Sequence, residues 1–194
     1  MTRTSRIALI TACGALAMPA AAGAATDRFH RFEVDATADY LIEETCADGT
    51  TASQRVAVIA GHEEESESGA STLDNDFATV LIRGFDCDGA FVNARGSGPA
   101  QFSWSPSLRT ASVSGTITTR DGHDLTVDID WSGTGSLETT SNTTTFPGFT
   151  GHFKGQRRDA VATGTVVFDG DTIVDATTTD AEIETLEDTN ISRP

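Results

Sequence analysis

From Leu125 to Trp131 the chain alternates without a break: Leu125, Val127, Ile129 and Trp131 are apolar, and Thr126, Asp128 and Asp130 between them are polar. Successive side chains of a strand point to opposite faces, so this run predicts a strand with one buried and one wet face. Val113, Gly115 and Ile117 alternate with Ser112, Ser114, Thr116 and Thr118 in the same way. Between the two runs lies Asp121-Gly122, a pair that tight hairpins favour because both central positions need positive φ. Asp48-Gly49, Asp88-Gly89 and Asp169-Gly170 repeat the signal, each flanked by strand formers.

The pattern therefore predicts an all-β fold, an antiparallel hairpin meander of about 8–10 strands. The candidate strands are 38–46, 50–60, 76–87, 90–96, 100–105, 109–119, 124–132, 136–144, 158–168 and 172–178. A β-barrel is preferred over a β-sandwich, because sequential hairpins close easily and Gly84, Gly115 and Gly164 offer bending points. Residues 61–75, 94–99 and 142–158 read as loops. One stretch reads two ways: Thr179-Asp180-Ala181-Glu182 resembles a helix capping box, and Ala181, Ile183 and Thr185 also alternate as a strand would.

The N-terminus changes the picture of where the chain works. Arg3 and Arg6, an apolar run from Ile7 to about Pro19, and the small residues Ala20–Ala25 have the three parts of a secretory leader. Residues 1–24 are read as a signal peptide and 25–194 as a single β domain in a secreted, extracellular or cell-envelope protein. The apolar run is too short for a transmembrane segment. Ile10-Thr11-Ala12-Cys13 loosely resembles a lipoprotein box, but cleavage there would leave too short an apolar core before Cys13. The leader and a single lysine, Lys154, against many arginines look bacterial.

Cysteine use agrees with export. Beyond the leader only Cys46 and Cys87 remain, each just before an Asp-Gly turn, and the expectation is a disulfide between them. The net charge of −16 argues against nucleic acid or anionic membranes as partners.

No G-x-S-x-G occurs, and His30, His62, His123 and His152 lack the spacings of a metal pair. The acids of Asp74-Asn75-Asp76, Asp86-x-Asp88 and Asp169-x-Asp171 are explained by turn chemistry, without a metal. Asp128 and Asp130 share one strand face, as an inverting glycosidase pair would, but opposite the apolar residues and so toward solvent. No catalytic residue and no cofactor are expected.

One segment concentrates unusual chemistry. Phe146, Phe149 and Phe153, with His152, Lys154, Arg157 and Arg158, form a cationic and aromatic patch in an acidic chain. Such residues serve recognition, and paired cations can grip an anionic group. The competing account makes the phenylalanines a plug for the barrel end, with the arginines answering nearby acids. The functional expectation is a monomeric, non-catalytic binding protein that takes a small molecule or surface partner at a barrel mouth or at 146–158. The alternatives are a small extracellular enzyme assembled in the fold, and a structural or inhibitory surface protein without a pocket.

Overall fold

The structure, a computed structural model, describes residues 27–192; the expected leader and Cys13 lie outside them. Ten strands follow one another: β1 (Asp27–Thr45), β2 (Thr51–Glu67), β3 (Ala70–Phe85), β4 (Phe91–Pro99), β5 (Gln101–Trp104), β6 (Thr110–Thr118), β7 (Asp124–Gly133), β8 (Glu138–Phe146), β9 (Phe149–Phe168) and β10 (Asp171–Ser192). They make one antiparallel sheet in the order β4-β3-β2-β1-β10-β9-β7-β6-β5, with β8 paired to β9 beside β7.

The alternating run in β7 behaves as its pattern requires. Leu125, Val127, Ile129 and Trp131 are buried and Thr126, Asp128 and Asp130 are exposed. Val34, Ala36, Ala38 and Tyr40 of β1 do the same, as do Val56, Val58 and Ala60 of β2. The sheet folds over so that these faces meet in one core, which includes Ile82 of β3, Val113 of β6 and Ile183 of β10. Trp131 donates its indole N–H to the Thr37 carbonyl across that core at 2.8 Å. The polar end of the ring is thereby satisfied inside an apolar interior.

The expected barrel is not formed. Among the described residues only an isolated bridge, Gly96 to Thr119, pairs the β4 side with the β6 side. β5 is four residues long and pairs only with β6. At the other fold, the β1–β10 ladder ends at Ala38 and Ala181, where β10 bulges and the Thr178 hydroxyl instead bonds the Asp39 carbonyl. Two interrupted seams leave a folded sheet. At Gly84 and Gly164 the neighbouring strand comes close: a Cβ there would lie 2.1 Å from the Ser53 and Asp128 carbonyl oxygens.

Three of the four Asp-Gly turns also differ from expectation. At Gly49, Gly89 and Gly122 only the glycine takes positive φ, and each glycine N–H bonds the carbonyl three residues back. That is a type I turn closed by a left-handed glycine, which lets Asp48 and Asp86 accept backbone N–H groups. Only Asp169-Gly170 has positive φ at both positions. Cys46 and Cys87, at the mouths of two of these turns, stand at disulfide distance, with 5.3 Å between Cα atoms.

The segments expected as loops are strands. Residues 61–75 are the ends of β2 and β3 joined by a turn at Ser68-Gly69, 94–99 lie in β4, and 142–158 form the β8–β9 hairpin. The 179–186 stretch is strand, not helix. The 62–67 and 70–76 ends of β2 and β3 and the β8–β9 hairpin, with the start of β1 and the end of β10, build a six-stranded extension in the order β3-β2-β1-β10-β9-β8. None of residues 27–33, 62–67, 70–76, 138–146, 149–157 or 184–192 is buried.

Candidate functional site

The candidate residues all fall in this extension, and the pleat divides them. Arg158 lies across from Ile183, a core residue, so Arg158, Lys154 and His152 share the core-side face. Arg157, Phe153 and Phe149 take the outer face, joined by Phe146 across the Pro147-Gly148 turn. The single patch expected from a loop is therefore two half-patches back to back.

On the outer face Phe149 and Phe153 each cover a glycine. The Phe149 ring stands 3.3 Å from where a Gly151 Cβ would be, and the Phe153 ring 3.6 Å from that of Gly155. Phe77 of β3 covers Gly61 in the same way. A ring laid over a cross-strand or near-strand glycine restores packing that the missing side chain forfeits. Phe146 and Phe149 nevertheless remain exposed, at 62% and 36%. Arg157 is engaged by Glu182 at 2.5 Å. Arg158 donates to the Gly135 carbonyl at 2.6 Å and holds the β7–β8 connection. Both arginines thus serve the fold. His152 bonds Thr143 of β8 at 3.1 Å, and Lys154 has no ion pair or hydrogen bond among the described residues.

The outer face also carries a band of acids that the sequence did not single out. Arg31 reaches Glu63 at 2.6 Å, Glu33 at 3.2 Å and Glu65 at 3.7 Å. Beside them Asp35 leans over Gly61 under Phe77, and its Oδ1 is enclosed with no hydrogen-bond partner among the described residues. Burial first, and then the charges of Glu33, Glu184 and Glu63, push the Asp35 carboxyl up to about 7. Glu184 is raised for the same reasons, burial and Glu182 outweighing the attraction of Arg157.

On the core-side face the folded sheet ends in an aromatic shelf. Trp104 of β5 stacks on His62 with ring centres 4.9 Å apart, and Phe102 and Phe32 lie within 6.3 Å of the same indole. Asp76 bonds His62 at 2.8 Å and fixes the imidazole, and His30 meets Glu187 at 3.3 Å. Three of the four histidines, His30, His62 and His152, thus share one face, brought from three strands by pairing. No local spacing could have announced this. With 15% of its side chain exposed, His62 is a fixed part of the shelf.

The two most pocket-like depressions are open grooves of about 500 and 480 Å³, lined by Asp124 and Asp169 and by Gln101 and Ser114 among others. Neither touches the candidate residues. Among the described residues no group of three or more His, Cys, Asp or Glu is placed to hold a metal ion, and no helix is long and apolar enough to cross a membrane.

No family model and no curated protein matches the chain. Among solved structures, a Nitrosomonas europaea protein assigned provisionally as an AttH matches 86% of this chain, at 9% identity and a TM-score of 0.27. The match spans about half of that protein, 51% of its length. Similarity at that level carries no argument about fold or function.

Proposed function

We propose that the protein is a secreted, non-catalytic binding protein that meets its partner on the surface of the six-stranded extension, around the β8–β9 hairpin. The reading rests chiefly on one contrast. The folded half has a core filled by side chains such as Trp131, Tyr40 and Ile129, each at most 2% exposed, whereas the extension buries no side chain of its own strands. A barrel mouth is no longer part of the proposal, since the sheet is not closed. Exposed phenylalanines at the tip and an unpaired lysine one strand from the edge are the groups a partner would use. The leader and the disulfide pair favour an oxidising exterior as the place where this happens.

The test is the partition of the expressed protein between washed cells and medium. Wild type is expected to be retained on a surface partner, and the triple variant Phe146→Ser, Phe149→Ser, Lys154→Glu to be released with an unchanged melting temperature. Equal partition of the two, or a small molecule retained in the native mass of the purified protein, would contradict the surface reading.

A further inference from the structure

The extension has two free edges. Among the described residues β8 pairs only with β9, and residues 70–76 of β3 pair only with β2, because β4 begins its ladder with β3 at Phe77. An unpaired edge presents a row of N–H and C=O groups to any strand that fits, and proteins usually blunt it. β4 ends in Pro99 and is bridged at Gly96, and β5 is short. The β3 edge carries Asp74 and a register break opposite Glu65/Ser66. β8 has none of these devices: nine residues in unbroken register, rich in threonine, with one charge, Glu138, at its start.

Six strands alternate in direction, so the first and last run opposite ways. The β8 edge of one molecule and the β3 edge of another with its extension oriented alike are therefore antiparallel, and the ladder can continue across the junction. Charge agrees with this pairing. Lys154 lies across β9–β8 from Ser141, a short side chain that leaves the ammonium clear toward the edge. On the same face at the other edge stand Glu64 and Asp74, paired across β2–β3 and, like Lys154, without an ion partner among the described residues. Pairing β8 with a second β8 offers no such complement, and pairing β3 with a second β3 would set acids against acids.

We propose that the protein self-associates head to tail, the β8 edge of one copy adding to the Ala70–Asp76 edge of the next, with Lys154 answering Asp74. This replaces the monomer expected from sequence. It is independent of the surface partner proposed above, because it concerns the purified protein alone. The contact is heterologous, so it leaves one edge of each kind free and can extend.

Sedimentation of the purified, disulfide-bonded protein tests it. Wild type is expected to form concentration-dependent oligomers that weaken with added salt. Lys154→Asp and Asp74→Lys are each expected to weaken association about tenfold, with unchanged melting temperatures. An equimolar mixture of the two variants sets Asp74 of the first against Lys154 of the second and, at the alternate junction, the two introduced residues as an ion pair of reversed sign, so it is expected to regain association that neither variant shows alone. A strictly monomeric wild type at millimolar concentration would overturn the proposal, as would oligomers that ignore Asp74→Lys, which would point to β8–β8 pairing instead. Unaltered cell partition of Asp74→Lys, whose residue lies outside the β8–β9 surface, with lost self-association would separate this contact from the binding surface.

Discussion

In the folded half of the sheet each strand presses an apolar face against strands from the opposite side; in the extension the same strands continue with neither face buried. β9 shows both within one element: Ala160, Ala162 and Val166 are buried, while Phe149 to Arg157 are not. What changes is the source of cohesion. The folded half is held by burial and the indole bond of Trp131 to Thr37. The extension is held by ladder hydrogen bonds, rings over glycines, and ion pairs such as Arg31–Glu63 and Arg157–Glu182, which contribute little each when exposed. One region supplies stability and the other is left available for contact.

The largest expected effect breaks the stronger region. Trp131→Ala should cost about 3–5 kcal/mol of unfolding free energy, through the cavity and the abandoned Thr37 carbonyl. Phe153→Ala in the extension should cost only about 1 kcal/mol. Urea unfolding of the two variants checks the contrast; equal losses would mean that the extension is as firmly packed as the core.

Next comes the disulfide, whose cysteines are 41 residues apart and sit at the turns of the folded half. Cys46→Ser with Cys87→Ser should cost about 2–4 kcal/mol. Limited proteolysis should then cut the 46–50 and 86–90 turns while sparing β8 and β9.

Asp35 sharpens the comparison, because it stands on the outer face where the extension meets the folded half. Its pKa is raised from 3.8 to about 7, so the folded state holds the proton more tightly than the unfolded state does. Stability present below pH 4 is lost as pH rises through about 7, and Glu184 adds in the same direction. Asp35→Asn should therefore leave stability unchanged near pH 4 and raise it near pH 8, by roughly 1–3 kcal/mol once solvent screening is allowed for. Melting scans at the two pH values decide; a variant no more stable at pH 8 would show that the carboxylate is compensated.

The smallest effect concerns the glycines of the extension. A Cβ at Gly155 meets nothing nearer than 3.6 Å, so Gly155→Ala should be neutral or stabilise by a few tenths of a kcal/mol. A loss above 1 kcal/mol would mean that the Phe153 ring cannot give way.

The same division explains what could be read in advance. Each of the ten strands overlaps a segment that alternation and Asp-Gly turns placed, because in the folded half one face of each strand must be apolar. Most of the missed strand lengths, 27–33, 62–67, 70–75, 145–146, 149–157 and 184–192, are extension; the rest carry the core residues Val34, Ala36, Ala181 and Ile183. Glu63-Glu64-Glu65 has no apolar partner to alternate with, since both of its faces are wet, and composition alone reads it as a loop. Phe149-x-Gly151 and Phe153-x-Gly155 were visible, but as loop residues they could not be assigned to opposite faces from Lys154. The Trp104–His62 shelf joins β5 to β2, and Asp35 gains its environment from β2, β3 and β10; neither has a local signature. The barrel failed at two seams, Ala38/Ala181 and Gly96/Thr119, set by ladder geometry that no hairpin signal encodes.

Amide hydrogen exchange of the purified protein at low and high concentration tests most directly whether the extension carries the contacts and the folded half the stability. Protection that rises with concentration at 139–146 and 70–76, with β7 and the inner half of β9 protected equally at both, is the predicted result. Protection that is unchanged everywhere, or that rises first in the core strands, would contradict it.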